Sequence, residues 1–415
     1  MRAAHLLRKL DPAQWGGTET AIQRLFEGLR TQGVTPIVFC PRLEEESMED
    51  PLLKSGYQVA RFKAFVPVLG LAKGRKRQLV SVGGNLMSFD LVSQLWREKN
   101  LAIIHTHTLG RIGGIALTIA KKRRIPCVVT IHGGVLDLPA EIKESFNAPL
   151  TGGWEWGKLF GFLFQSHHLF RDADAIITCN EREAALLRER YPAKRIVVQA
   201  HGVPLAIYRQ DHRDAARAAF PQICGRQVLL SLGRVDPIKN QRWLLEQAPA
   251  ILQKHPDALL VLAGACTDEP YGKLIERQIK ELGLESQVLL TGGLPANDPR
   301  LIGLLQEAKV LLLPSLSETF GLVILEAWAA GTMVLSSRTS GATALVQDGE
   351  NGWLFDLDRP RTFHQALEKT LSNAELAKRM VARGANVSEG YSIEALAGRM
   401  KKTYEEVIEE KQCAT

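Results

Sequence analysis

Val310-Leu-Leu-Leu-Pro314-Ser-Leu-Ser-Glu318-Thr-Phe-Gly321-Leu-Val-Ile-Leu-Glu326-Ala-Trp-Ala-Ala-Gly331 carries the reading of the fold in one unit. Its first four residues are an unbroken apolar run, as expected of a strand covered on both faces. Pro314 ends the strand, a short polar loop follows, and a helix is predicted from near Phe320. Strand, loop and helix in that order are the repeating unit of a parallel α/β sheet.

The same alternation runs along almost the whole chain. In the first half, Pro36–Cys40, Gln58–Phe62, Leu101–His105, Cys127–Ile131, Ala175–Cys179 and Ile196–Ala200 are candidate strands. Amphipathic stretches separate them, such as Thr18–Gln32, with Ile22, Leu25, Phe26 and Leu29 on one face. The second half restarts with Val228–Leu232, Leu259–Ala263, Val288–Thr291, Val310–Leu313 and Met333–Ser336. Between the halves Pro204–Gly225 is polar and irregular, so residues 1–205 are read as one Rossmann-like domain and 206–392 as a second. A last helix, Ile393–Glu410, places Leu396, Met400, Tyr404 and Val407 on one stripe. The expected fold class is α/β, two doubly wound domains leaving a cleft between the carboxyl ends of their sheets, where such folds bind ligands.

A chain of 415 residues suits two domains of about 200 residues each. With 45% hydrophobic and 23% charged residues it is globular, which excludes disordered and fibrous chains. A net charge of +7 suits anionic partners. There is no zinc-finger spacing and no RNP-like aromatic motif, so nucleic acid is not expected. None of the six cysteines forms a CxxC, and Cys40, Cys127, Cys179 and Cys266 sit within or just after apolar runs. Thiols there act as small buried hydrophobes, which points to a reducing compartment. Met1–Asp11 reaches polar residues after two leucines, unlike a signal peptide, and no apolar run approaches the roughly 18 residues that span a bilayer. A cytoplasmic protein is expected.

In the opening stretch, Glu318 stands at or before the first helical turn and Glu326 eight residues on, about 80° around the axis and roughly 12 Å along it. That spacing suits one carboxylate at a sugar and another farther along an extended nucleotide. The amides of Gly321 and Leu322 at the helix start offer a diphosphate site. The plainer reading makes Glu318 a capping acid and Glu326 part of a solvated face. Glu326, however, follows Val323, Ile324 and Leu325, too apolar a helix to be casually solvated. Arg234 and Lys239 follow the strand Val228–Leu232 at its ligand end, where a guanidinium grips phosphate oxygens with two prongs and an ammonium adds a point charge. A solvated basic loop is the alternative. Gly16 and Gly17 come after the chain's first strand and before a helix at Thr18, where glycine lets the backbone approach a sugar or anion. His132 follows the buried strand CVVTI, and His105 and His107 end the preceding one; a lone histidine is more often structural.

The stretch also resembles the Glu-x7-Glu signature of retaining GT-B glycosyltransferases, specifically glycosyltransferase family 4, with Glu318 and Glu326 as its glutamates and Thr319-Phe320-Gly321 following the first. Gly233-Arg-Val-Asp-Pro-Ile-Lys239-Asn240 is similar to that family's loop after the first donor-domain strand. Trp15-Gly-Gly-Thr-Glu19 resembles its N-terminal glycine loop, and Thr130-Ile-His-Gly133 its histidine turn. Ser340-Gly341 and Asp348-Gly-Glu-Asn-Gly352 complete an ordered set that covers nearly the whole chain.

The resemblance implies a nucleotide-sugar donor in the C-terminal domain. Arg234 and Lys239 hold the diphosphate, helped by the amides of Gly321 and Leu322; Glu326 meets the ribose, and Glu318, beside Thr319 and Phe320, meets the sugar hydroxyls. Backbone near Gly292–Leu294 reads the base. The N-terminal domain brings the acceptor, with Gly16, Gly17 and His132 toward the donor, and the helix 393–415 returns to it. Hexosyl transfer retains configuration by a front-face route, with the leaving diphosphate taking the acceptor proton. No metal and no cofactor are implied. The residues do not choose among UDP, GDP and ADP; a UDP-sugar is the first guess, and a polysaccharide or glycolipid intermediate the default acceptor. The rivals are a nucleotide-sugar epimerase on the same fold and a catalytically silent binder of sugar nucleotide or lipid.

Asp172-Ala-Asp174 and Asp356-Leu-Asp358 look like the metal-binding DxD of GT-A enzymes. The first lies at the wrong end of a strand, and the second is read as a helix cap. Gly110-Arg-Ile-Gly113-Gly114 lacks the rest of a dinucleotide fingerprint, and helix packing accounts for it. From Pro51 to Phe89 the chain carries Lys54, Arg61, Lys63, Lys73, Arg75, Lys76 and Arg77, no acid, and interleaved apolar residues. Such a segment suits the inner face of an anionic membrane, a solvated loop or an anionic acceptor.

Overall fold

A computed structural model describes residues 1–10, 16–42, 51–70, 74, 86–132 and 154–413. Trp15, Gly133 and the basic residues Lys73, Arg75, Lys76 and Arg77 lie outside them. The chain divides into two units, one of Met1–Ala200 with the segment from Leu396 onward, the other of His201–Ala395.

The first unit is built on seven parallel strands: β1 (Arg2–Leu6), β2 (Thr35–Pro41), β3 (Gln58–Phe62), β4 (Ile103–Thr106), β5 (Cys127–Ile131), β6 (Ala175–Thr178) and β7 (Arg195–Val198), in the order β3-β2-β1-β4-β5-β6-β7. Alternate residues of each strand face opposite layers. Ala4, Ile104, Val129 and Ile176 pack with Leu91, Leu95, Ile112 and Ile115 of the helices Phe89–Arg97 and Gly110–Arg123. Ala3, Ile103, Val128, Ala175 and Ile177 pack instead with Ala397, Met400, Tyr404 and Val407 of the C-terminal helix Ile393–Cys413. Burying each of the larger side chains on that stripe contributes about 1.5–3 kcal/mol. Arg195 pairs with Glu406 at 2.6 Å and also with Glu410, and Lys411 with Asp174 at 2.8 Å, fixing the helix's register on the sheet.

The second unit repeats the plan with six parallel strands: β8 (Gln227–Leu232), β9 (Ala258–Ala263), β10 (Val288–Gly292), β11 (Ala308–Leu313), β12 (Met333–Ser337) and β13 (Trp353–Phe355), in the order β10-β9-β8-β11-β12-β13. In each sheet the first strand is flanked by strands running off in opposite directions. The sequence therefore reverses direction between β1 and β4 and between β8 and β11. A crevice opens at such switch points, beyond the strands' carboxyl ends.

Several expectations shift. The strand expected ahead of Gly16 was given no limits and is Arg2–Leu6, where His5 interrupts the apolar run; Trp353–Phe355, only three residues long, was not among the candidates. Pro204–Gly225 is not irregular: it carries helices Leu205–Arg209 and Arg213–Ala219, each too short for a periodic signal. Cys40, Cys127 and Cys179 are buried, whereas Cys266, three residues past β9, is exposed. Among the described residues, no helix is long and apolar enough to cross a membrane.

Candidate active site

At the β8/β11 switch point two loops are stitched together. The loop after β8 runs Gly233–Asn240 and that after β11 runs Pro314–Gly321. Leu316 N–H donates to Ile238 O at 2.8 Å, and Asn240 Nδ2 donates to Pro314 O at 3.2 Å. Between these tethers the Lys239 ammonium pairs with the Glu318 carboxylate. Arg234 pairs with the nearly buried Asp236 at 3.0 Å, and Asp236 also accepts the Lys239 backbone N–H at 3.0 Å. Asp236 thus anchors both basic residues of the loop, one by its guanidinium and one by its backbone. Sequence reasoning gave it no role, since an acid between two bases carries no pattern of its own.

The helix of the quoted stretch is Leu322–Ala330, beginning later than expected. Gly321, at φ +88°, occupies the left-handed region that glycine enters without penalty, and it breaks any helical path back to Glu318. The angular estimate from a continuous helix therefore does not hold, and Glu318 belongs to the loop. No side chain caps this helix, so Glu318 is not its capping acid. Glu318 is instead held through its backbone: its carbonyl accepts from Gly341 N–H at 2.7 Å and from Ser340 Oγ at 3.2 Å. A β-carbon on Gly341 would lie 2.6 Å from Phe320 N and 2.7 Å from Glu318 O, which explains glycine there. Glu326 is only 9% exposed, so it is not on a solvated face. The Phe320 ring is buried, edge-on to His201 at 5.1 Å and near Tyr391 at 6.0 Å, which orders the loop around Thr319. Leu294 is half-buried two residues past β10, the edge strand of this sheet.

In the first unit, Gly16 and Gly17 open the helix that follows β1, while His107 and His132 directly follow the neighbouring strands β4 and β5. Gly16 N–H donates to the Glu19 carboxylate at 3.0 Å, opening the helix Gly17–Thr31. A β-carbon on Gly17 would meet no atom of the described residues within 4 Å. The structure thus brings Arg234, Lys239, Glu318, Thr319, Phe320, Gly321, Leu322 and Glu326 together in one unit, and Gly16, Gly17 and His132 in the other.

Residues 15–207 match the family model Glycosyltransferase Family 4, and residues 213–387 match Glycosyl transferases group 1. The D-inositol 3-phosphate glycosyltransferase of Thermobispora bispora is 30% identical over 74% of this chain and 71% of its own. The protein of the same name from Rhodococcus erythropolis is 30% identical over 85% of this chain and 83% of its own. The chain belongs to glycosyltransferase family 4. Anabaena Alr3699/HepE, solved in complex with UDP and glucose, matches this glycosyltransferase with a TM-score of 0.73 at 17% identity, over 98% of this chain and 100% of that one. Sucrose-phosphate synthase from Thermosynechococcus elongatus gives 0.73 at 19% identity over 99% of each chain. The fold is that of GT-B glycosyltransferases.

The look-alike motifs of this glycosyltransferase have structural partners. Asp172 pairs with Arg171 at 2.7 Å and Lys121 at 2.5 Å, and the hydrogen bond from Arg171, then that from Lys121, holds its carboxyl well below the usual range. Asp174 accepts from Cys127 N–H at 2.8 Å. Asp356 is not a cap, contrary to expectation; it pairs with Arg359 and, at 3.3 Å, with Arg338, and Arg359 occupies the cap position. Gly113 lies inside the helix Gly110–Arg123, where a β-carbon would fall 2.4 Å from Thr108 O, so close packing accounts for the glycine. Sequence reasoning also passed over His5, which lies in register with His105 on the next strand.

Proposed function

We propose that this glycosyltransferase moves a hexosyl group from a nucleotide sugar, a UDP-sugar first, to an acceptor hydroxyl with retention of configuration and without a metal. The observation that carries this reading is the Lys239–Glu318 pair at the β8/β11 switch point, with Arg234 on the same loop. Two cations and one acid at a strand end suit a diphosphate joined to a sugar. HepE, whose structure holds UDP and glucose, supports UDP.

In this reading Arg234 and Lys239 neutralise the diphosphate as the bond from the anomeric carbon to its oxygen breaks, the step at which charge develops. Lys239 then turns from Glu318 toward phosphate, and Glu318 accepts from the sugar hydroxyls. The amides of Gly321 and Leu322 add donors, Glu326 binds the ribose hydroxyls, and backbone near Leu294 reads the base. The acceptor oxygen attacks from the leaving-group side, and its proton passes to the departing diphosphate, so no protein base is required. Gly16, Gly17 and His132 serve the acceptor and the transferred sugar.

A polysaccharide or glycolipid intermediate is the acceptor we favour. A phosphorylated polyol is a second reading, supported by the relatives' name, D-inositol 3-phosphate glycosyltransferase. Peripheral contact with an anionic membrane is supported by exposed Phe65, Leu69 and Phe89 near Lys54, Arg61 and Lys63.

The test is transfer from UDP-, GDP- and ADP-sugars to each acceptor class, with EDTA and then with magnesium, reading the product anomer by NMR. Melting with each nucleoside diphosphate accompanies it; a ligand at 100 times its Kd adds about 2.7 kcal/mol. Retained transfer with EDTA present is expected. A strict magnesium requirement, an inverted product, epimerisation of the donor without an acceptor, or binding without turnover would each overturn it.

A further inference from the structure

Asp236 grips the loop after β8 with both of its oxygens. Oδ1 accepts the Lys239 backbone N–H at 3.0 Å, and Oδ2 accepts from Arg234 Nη2 at 3.0 Å. The acid is almost wholly buried, whereas the Arg234 side chain that it holds is 45% exposed.

The backbone around Asp236 is fixed by its neighbours. Val235 N–H donates to Ala265 O at 2.9 Å, and the buried Gln241 side chain donates from Nε2 to Arg234 O at 2.8 Å. A β-carbon on Gly264 would fall 1.9 Å from Gly233 O, so the loops after β8 and β9 touch backbone to backbone. The carboxylate is thereby held in one place, and the movable part is the Arg234 side chain. Left to itself, a half-exposed arginine spreads over many rotamers. Asp236 selects one. It takes the guanidinium at Nη2 and leaves the other N–H groups to phosphate oxygens.

The Lys239–Glu318 pair is built differently. Both of its partners are about one-fifth exposed, and one ammonium meets one carboxylate, so a phosphate that engages Lys239 draws it from Glu318. We infer that Asp236 is a positioning residue: it aims Arg234 at the diphosphate and keeps its hold through turnover, while Glu318 releases Lys239. That Arg234 meets a diphosphate rests on the glycosyl-transfer reading; the hold of Asp236 on Arg234 does not.

Charge and geometry predict opposite signs for the loss of this acid. By charge alone, removing a carboxylate beside an anion site tightens the anion. The Asp236 charge, however, is already met by two donors at 3.0 Å, and beyond the half-exposed guanidinium its field is screened by water. Ordering the arginine in advance outweighs it, worth about three- to tenfold in affinity for a side chain of this kind.

The test is Asp236→Asn in the full chain, whose Oδ1 still accepts the Lys239 N–H while its amide turns a donor toward Arg234. UDP, with GDP and ADP in parallel, is titrated by calorimetry. The variant should bind the preferred diphosphate about three- to tenfold more weakly. It should also lower kcat by on the order of tenfold, since Arg234 is no longer aimed. In an Arg234→Ala background the same change should do nothing further, because a residue acting through Arg234 has nothing left to position. Without any ligand, 15N-arginine NMR should show resolved Nη1 and Nη2 signals for Arg234, assigned from Arg234→Ala, and Asp236→Asn should average them by rotation. A diphosphate held by Asp236→Asn as tightly as by the parent, or more tightly, would overturn the inference. So would a further loss in the Arg234→Ala background, the mark of a residue that only holds the loop. Averaged Arg234 signals in the parent would overturn it whether or not the variant folds. If no nucleoside diphosphate binds the parent while its Arg234 signals are resolved, it is the functional reading that fails.

Discussion

Lys239 and Glu318 are 79 positions apart in the chain and meet as an ion pair, each side chain about one-fifth exposed. The pair joins the two central strands of the second sheet, since Lys239 follows β8 and Glu318 follows β11. Lys239→Ala and Glu318→Gln are each expected to lower kcat by about 10²–10³. Because the two act as one unit, the double variant should lose little more than the worse single one. A double-mutant cycle on kcat/KM checks this, and simple additivity would refute it.

Glu326, nearly buried on the helix Leu322–Ala330, is expected to be read by the donor's ribose. Charged hydrogen bonds of this kind contribute about 1.5–3 kcal/mol. Glu326→Gln should therefore raise donor KM by roughly tenfold or more. The unmodified enzyme should discriminate against 2′- and 3′-deoxyribose donors, and the variant should not. Comparing KM for each donor in both proteins decides it.

Gly341 and Gly17 are glycines for different reasons, and alanine should separate them. At Gly341 a methyl group would strike the backbone of Glu318 and Phe320, so Gly341→Ala is expected to destabilise by about 1–3 kcal/mol and to displace Glu318. At Gly17 a methyl group meets no atom of the described residues within 4 Å, and alanine suits a first helical turn. Gly17→Ala should melt within about a degree of the parent and yet lose activity by roughly tenfold, the methyl occupying room kept for substrate. Calorimetry alongside kinetics tests both.

Stability should fall in mild acid. Burial depresses the His5 imidazole to about 3, and burial, then the charges of His5 and His132, holds His105 well below 6.5. Above about pH 6.5 both residues are neutral folded or unfolded, and the stability they permit is fully present. As pH falls toward 3 the unfolded chain takes up protons that the folded chain refuses, so stability is lost at up to about 1.4 kcal/mol per pH unit for each histidine. Urea unfolding at pH 7.5, 6 and 5 measures the slope. His5→Asn should make it shallower by about one proton, and an unchanged slope would count against the assignment.

Most of the architecture was legible because its signals are local. VLLL at Val310–Leu313 and LLVLA at Leu259–Ala263 announce central strands by unbroken apolarity, and both are strands within two residues of their expected limits. The limits of Arg2–Leu6 were not legible because His5 stands inside it, a buried histidine that shares a hydrogen bond with His107. Glu318 was recognised by its spacing to Glu326, but its loop position depends on the positive φ of Gly321, which a helical count does not register.

The chain's own order of residues determined the alternation of strand and helix, the two-part division of its apolar runs, and which charged residues follow which strands. These follow from side-chain periodicity and from breakers such as Pro314, which act over a few residues. Only the tertiary structure decided that β1 lies beside β4 and β8 beside β11. That adjacency puts Lys239 on Glu318, and His5, His107 and His132 in one file. Strand order is chosen by burying both faces of a whole sheet under its crossover helices, a cooperative balance over some two hundred residues that no single stretch encodes.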